Sequence, residues 1–186
     1  MRLFAAIHPP SDVLDALAGV VAEVKRAHPG LRWASRTQWH LTLAFYGEAD
    51  DAAAEALPGL LAAAVAAGPA PRLELAGAGA FPTRAPGRAK VLWAGVEGDL
   101  AELAALAERC TEAGTRAGLK PQGHEREFRP HLTLARSREP RDLRGHAALL
   151  GDFAGRPWTP EAVDLMISHF PRPGHTLLRE LPFADA

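Results

Sequence analysis

The tetrapeptide His-Leu-Thr-Leu stands twice in this chain, at positions 40–43 and 131–134, about half the 186 residues apart. Each copy lies in an apolar run of strand character. Side chains along a strand alternate between faces, so the histidine and threonine of each copy point the same way. Each copy is also reached by the same route. An apolar strand, Leu3 to Ile7 or Val91 to Val96, leads to a helix whose apolar stripe has one spacing in both places: Leu14, Leu17, Val21 and Val24, then Leu100, Leu103, Ala107 and Cys110. A repeated order of strand, helix and tetrapeptide strand implies an internal duplication. The expected fold is α+β, with two similar lobes about a pseudo-twofold axis, mixed or antiparallel sheets, and one tetrapeptide per lobe of a single domain over 1–186.

The first strand ends at Pro9-Pro10, Ser11 or Asp12 offers an N-cap, and the first helix stops near His28-Pro29-Gly30. A short strand carrying Trp33 is expected over 31–34. Positions 50–67 are alanine-rich and helical, with Pro58 expected to kink or divide the helix. Arg72 to Ala76 alternates as a strand. Gly77 to Lys90, rich in glycine and proline and carrying Arg84 and Arg88, predicts an irregular exposed loop or lid. The second tetrapeptide strand is expected to stop at Ala135, with Arg136 to Arg144 as charged connection. The tail holds a short strand near Trp158, a firmer one over 163–170, a turn at Pro171-Arg172-Pro173-Gly174 and a last strand over 175–183.

A net charge of −1 gives no whole-molecule attraction to polyanions, so a nucleic acid would have to be held by a local basic surface. Among the 21 basic residues only Lys25, Lys90 and Lys120 are lysines. In a chain this rich in Ala and Gly, that bias reflects composition more than selection for phosphate ligands. The single Cys110 excludes an intramolecular disulfide and a multi-cysteine zinc site, as expected of a reducing cytoplasm. The apolar run Leu3 to Ile7 is too short for a signal peptide or a membrane span, so a cytoplasmic protein without a membrane partner is expected. The remaining histidines, His8, His28, His124, His146, His169 and His175, show no metal-ligand spacing, and no Gly-x-x-x-x-Gly-Lys loop is present.

A lone His40 would more often be a structural histidine near a strand end than a catalyst. Two copies that keep both polar residues on a core-facing or cleft-facing strand surface change that balance, because apolar side chains would pack there at lower cost. Two imidazoles flanking one phosphate can divide the labour of base and acid in an in-line displacement, with Thr42 and Thr133 donating hydrogen bonds to non-bridging oxygens.

Together with the paired motif, the start Arg2-Leu3-Phe4-Ala5-Ala6-Ile7, the segment from Trp39 to Glu48 and the segment from Phe128 to Arg136 resemble the RNA 2′,3′-cyclic phosphodiesterases, also called 2′-5′ RNA ligase-like proteins, of the two-histidine phosphoesterase superfamily. The resemblance covers essentially the whole chain. It implies a bilobal fold whose sheets line a central cleft, with helices outside. It also implies hydrolysis of a terminal RNA 2′,3′-cyclic phosphate to a 2′-phosphate without metal or cofactor, and a weak reverse ligation forming 2′-5′ links. By motif, His40 and His131 become the catalytic pair and Thr42 and Thr133 the phosphate hydrogen-bonders. In this assignment His40 protonates the leaving 3′ oxygen and His131 activates water, the swap remaining open.

The family's arginine after the second motif corresponds to Arg136. It stands an odd number of positions after His131, so on a regular strand it would point away, and the role requires a bend or bulge near Ala135. Arg129 has the right parity but is separated from His131 by Pro130 and ranks lower; the plain alternative for both is a solvated surface arginine. For stacking a terminal nucleotide the candidates are Phe81, Tyr46 and, lower, Trp33; core packing is the favoured reading for Trp33, as it is for Trp93 and Phe45. The expected partners are RNA ends or small cyclic nucleotides, bound by a monomer. The rival readings are a non-catalytic nucleotide or RNA-end binding module on the same fold, a phosphodiesterase for another cyclic nucleotide phosphate, and a structural duplication with buried polar pairs.

Overall fold

The computed structural model describes residues 1–122, 127–169 and 174–184. The apolar N-terminal run forms β1 (Arg2–Ile7), and Pro10 precedes α1 (Ser11–Ala27), which buries Val13, Leu14, Leu17, Val21 and Val24. The short β2 (Arg32–Trp33) leads through a 3₁₀ turn at Arg36–Gln38 to β3 (Leu41–Glu48). Then follow α2 (Asp51–Ala66), β4 (Leu73–Phe81), a turn at Pro86–Arg88, β5 (Ala89–Gly98) and α3 (Leu100–Arg116). The chain continues with β6 (His131–Arg141), α4 (Arg144–Leu150), β7 (Ala162–Ser168) and β8 (His175–Pro182).

All pairings are antiparallel, in the order β4-β5-β6-β3-β1-β7-β8, with β2 on β6. The duplication takes a specific form. Each repeat runs strand, helix, strand, helix, strand: β1, α1, β3, α2, β4 and then β5, α3, β6, α4, β7. Its last strand pairs in the other repeat's half, β4 with β5 and β7 with β1, so the half-sheets β4-β5-β6 and β7-β1-β3 are each built from both repeats. The halves meet where β3 touches β6, at the single register pair Leu41↔Leu132.

On one face of the sheet lies the main core, with Leu3, Ala5 and Ile7 of β1 packed among residues of α1, α2 and α3. The alternate residues Phe4 and Ala6 join Met166 and the partly buried Phe45 in a small second cluster on the opposite face. Cys110 is buried in the helical stripe as expected, whereas Leu100, at the first turn of α3, is exposed.

Three expectations are corrected. Helix α2 runs undivided through Pro58: its buried stripe Ala53, Leu57, Leu61 and Val65 lies on both sides of the proline. Burying two leucines and a valine, at about 1.5–3 kcal/mol each, exceeds a penalty of about 3 kcal/mol for one interior proline. Strand β4 continues to Phe81, because Gly77, at φ 68°, absorbs a bulge between Leu75 and Ala78. Strand β6 continues through the charged segment to Arg141, paired by β2 and Ala89, with its charges in solvent. The short α4 follows, over residues to which the sequence pattern assigned no element. The turn at Pro171 to Pro173 and His124 lie outside the described residues. Among the described residues no helix is long and apolar enough to cross a membrane.

Gly114 of α3 sits against the Tyr46 ring: a Cβ there would lie 2.5 Å from it and 3.2 Å from Pro121. Helix propensity alone favours Gly114→Ala by about 0.5–1 kcal/mol. The overlap reverses the sign, and thermal or denaturant unfolding is expected to show a loss of about 1–3 kcal/mol.

Candidate active site

Both histidines are fixed by the same local device. A capping box between Ser35 and Gln38 holds the turn before β3, and the His40 Nδ1–H donates to the Gln38 carbonyl at 2.8 Å. Ahead of β6, Pro130 favours an extended Arg129, whose carbonyl accepts the His131 Nδ1–H at 2.7 Å. A carbonyl only accepts, so each neutral ring carries its proton on Nδ1 and leaves Nε2 free to take or give one.

The two strands bring the rings to one face of the sheet, near enough for the charge of His131 to act on His40. Leu41 and Leu132, directly opposed, are buried, as are Leu43 and Leu134. The histidines and threonines therefore take the other face, and extending the antiparallel register by one residue sets His40 across from Thr133 and His131 across from Thr42. That face is open: Thr42 is exposed and Thr133 half-buried, so the threonines look into a cleft and not into the core.

Immediately after each threonine the strand bulges. Along β3, Ala6 faces Thr42 and Ala5 faces Ala44, skipping Leu43; along β6, Trp93 faces Thr133 and Leu92 faces Ala135, skipping Leu134. Two consecutive residues are buried at each bulge, Leu43 with Ala44 and Leu134 with Ala135, and side-chain parity is inverted beyond them. This meets the geometric condition for Arg136, which lands on the face of Thr133, close enough for its charge to act on His131. The same inversion corrects the aromatic assignments. Tyr46 is turned into the core, 2% exposed, its hydroxyl donating to the Cys110 carbonyl at 3.0 Å, and is no stacking platform. Phe45, expected in the core, joins Phe4, Ala6 and Met166 on the cleft face, with the Arg2 guanidinium 5.4 Å above its ring.

Trp33 faces Ala135 in the β2–β6 ladder and packs, partly buried, against the main core, as favoured for it, and not as a stacking residue. Phe81 stands edge-on to His131, ring centres 4.8 Å apart. Trp93, also expected in the core, lies on the cleft face 6.3 Å from His131, over Gly79, where a Cβ would come within 2.3 Å of its ring. Arg129 is engaged by Glu127 at 3.0 Å and by Thr83 at 3.4 Å.

Three residues near His40 escaped the sequence reading. His8, at the end of β1, has its Nδ1 2.6 Å from the Asp164 carboxylate, and its ring lies 5.8 Å from that of His40. His175 of β8 meets His40 edge-on at 5.0 Å, and Phe4 lies 5.0 Å from His40 and 4.8 Å from His175. Phe4, Ala6 and His8 share one parity along β1, a signal that becomes informative only once β1 is known to pair with β3.

Burial, and then the His175 and His8 imidazoles, push the His40 pKa down from 6.5 to about 3, against the Gln38 hydrogen bond that favours the charged ring. His131 is also lowered, first by burial and then by Arg136, opposed by its bond to the Arg129 carbonyl. At neutral pH the cleft therefore presents two uncharged imidazoles. Among the described residues no group of three or more His, Cys, Asp or Glu side chains converges to hold a metal ion.

The sequence model of the 2′-5′ RNA ligase superfamily matches residues 10–169. An RNA 2′,3′-cyclic phosphodiesterase of Aeropyrum pernix is 35% identical over 129 residues, 68% of this chain and 70% of that protein. A protein of the same name from Thermus thermophilus is 35% identical over 143 residues, 75% of this chain and 70% of its own. Among solved structures, TT0787 of Thermus thermophilus superposes with a TM-score of 0.73 at 31% identity, covering 98% of this chain and 97% of that one. The LigT protein of E. coli complexed with 3′-AMP gives 0.72 at 26% identity, covering 98% of both.

Imidazole nitrogen NMR is expected to show His40 and His131 as Nδ1–H tautomers at pH 7, with His40 still neutral well below 6.5. A titration of His40 near 6.5 would contradict the electrostatics described for this cleft.

Proposed function

The chain belongs to the 2′-5′ RNA ligase superfamily, and we propose that it hydrolyses a terminal RNA 2′,3′-cyclic phosphate to a 2′-phosphate, with His40 and His131 as the acid–base pair. The observation that carries this reading is the matched presentation of two free Nε2 atoms, each tied back through Nδ1, beside two threonines around one ladder contact. The names of the relatives supply the substrate class.

In this mechanism the cyclic phosphate lies between the imidazoles, with Thr42 and Thr133 donating to its non-bridging oxygens and Arg136 offering a charged fork. His131 takes a proton from water as the water oxygen bonds to phosphorus. The bond from phosphorus to the 3′ oxygen breaks, and His40 delivers its proton to that oxygen. The products are a 2′-phosphomonoester and a free 3′ hydroxyl. The two histidines have then exchanged protonation states and reset through solvent. Run in the same direction with an RNA 5′ hydroxyl in place of water as the nucleophile, the same groups form a 2′-5′ link as the bond from phosphorus to the 3′ oxygen breaks, and the reverse of that step opens the link. Phe81, edge-on to His131, is the surface for the terminal base. Arg129, held by Glu127, is left out of the phosphate site.

An acid must be charged before it acts, and His40 is held neutral in the free protein. The negative phosphate must restore its proton on binding, since a nearby anion favours imidazolium. Two lowered pKa values place the bell of kcat/KM, which reports the free enzyme, on the acid side of 6.5, while the limb of kcat contributed by the acid shifts upward in the complex. A kcat/KM bell centred above 6.5 would contradict this reading.

His40→Ala and His131→Ala are each expected to slow hydrolysis of a mononucleoside 2′,3′-cyclic phosphate by about 10²–10⁴-fold, while EDTA leaves the wild-type rate unchanged. Full turnover by either variant refutes the pair. Binding of a 2′-phosphorylated nucleotide by the wild type without turnover would favour a binding module on this fold.

A further inference from the structure

Past its bulge, β6 carries arginines that the reaction does not use. Arg138 is exposed and lines the same groove as Arg136, and the β2–β6 ladder sets Arg32 directly opposite Arg136. Arg141 closes the far end, its guanidinium donating to the Gly30 carbonyl at 3.1 Å. These four arginines, with Gly30 and Glu139, are among the residues lining a surface groove of about 470 Å³. It begins at Arg136, beside His131, and runs outward along β6.

Like charges opposed across a ladder repel each other. Elsewhere on this protein four arginines face carboxylates, Arg36 with Asp15, Arg129 with Glu127, Arg144 with Asp142 and Arg156 with Asp12, while others such as Arg26, Arg116 and Arg179 stand singly in solvent among the described residues. Arg32, Arg136, Arg138 and Arg141 make no ion pair among the described residues, and Glu139 is the one carboxylate in the groove lining. On a chain of net charge −1, this is a local concentration of unneutralised guanidinium groups. Guanidinium forks match phosphate oxygens in pairs. From Thr133 to Arg138 the strand advances roughly 15 Å at about 3.3 Å per residue, more than a terminal phosphate occupies.

We infer that this groove holds the phosphodiester backbone of the nucleotides preceding the cyclic end, so that the enzyme selects single-stranded oligoribonucleotides over mononucleotides. Arg136 is the junction, facing the reacting phosphate on one side and Arg32 on the other. Arg32 and Arg138 contact only the upstream phosphates. The inference rests on the proposed reaction for the position of the RNA end, but its binding component can be measured without turnover.

The experiment compares wild type with Arg32→Gln, Arg138→Gln and the double variant. kcat/KM is measured on an eight-nucleotide RNA ending in a 2′,3′-cyclic phosphate and on a mononucleoside 2′,3′-cyclic phosphate. Fluorescence anisotropy follows a labelled RNA of the same length ending in a 2′-phosphate, across a salt series and against ATP as competitor. Wild type should prefer the oligonucleotide by about tenfold or more at low salt, the equivalent of about one charged contact. The double variant should lose most of that preference while mononucleotide turnover stays within about twofold. Its plot of log affinity against log salt should be shallower by about 0.7 for each phosphate contact removed. Equal kcat/KM for both substrates in the wild type, or unchanged oligonucleotide affinity and salt slope in the double variant, overturns the inference. So does competition by ATP that matches the oligonucleotide and weakens equally in the variants, which would assign the groove to a nucleotide polyphosphate. RNA binding that depends on Arg32 and Arg138, with neither substrate turned over, would uphold the groove and refute the proposed reaction.

Discussion

Leu41 and Leu132 face each other at the one point where β3 touches β6, and the cleft geometry depends on that contact. Both leucines are buried, so their strands can be joined only with the apolar parity facing the core. The flanking residues must then take the opposite face, and those residues are His40, Thr42, His131 and Thr133. A longer ladder would have aligned the strands closely. Here the ladder is one pair long, and beside it Thr42 is exposed and Thr133 half-buried where the two half-sheets meet. Because each half-sheet also takes its outer strand from the other repeat, neither half is built by one repeat alone.

The bulges after the two threonines extend this geometry in different directions. Each inverts the parity of the residues beyond it, and the two repeats use the inversion differently. In β6 it brings a charged residue, Arg136, onto the cleft face; in β3 it brings Phe45. On one side the site therefore combines the Phe81 and Trp93 rings with the Arg136 guanidinium around His131, continuing into the arginine groove. On the other it is apolar and histidine-rich, with Phe4, Met166, His8 and His175 around His40. This asymmetry gives two chemically similar imidazoles different surroundings, which is what a division between acid and base requires. Burial and two neighbouring imidazoles hold His40 neutral, whereas the lowering of His131 comes from burial and a guanidinium.

Much of this was legible because it depends on local periodicity. The repeated tetrapeptide, the matched helical stripes and the strand parity of His40 with Thr42 and of His131 with Thr133 are properties of short stretches, and the fold keeps them. Where reading failed, a local irregularity or a distant neighbour intervened. Tyr46 is a stacking candidate by its aromatic ring alone, but the skipped residue Leu43 sends that ring into the core against Gly114. Gly77 looked like the start of a loop, yet its freedom at positive φ is what lets β4 continue. Charge made the segment after Ala135 look like connection, although β6 runs on through it with its arginines in solvent.

By itself the sequence determined the duplicated α+β plan, the four residues of the paired motif and the condition that Arg136 had to satisfy. Hydrophobic alternation and helical spacing encode these within a few residues of each other. Only the tertiary structure decided that Arg136 meets that condition, that Tyr46 is a core residue, that Trp93 and Phe45 are not, and that His8 and His175 stand beside His40, with Asp164 on His8. Those outcomes depend on bulge positions and on strand neighbours far apart in the chain. Both are fixed by packing the whole sheet, which no local pattern records.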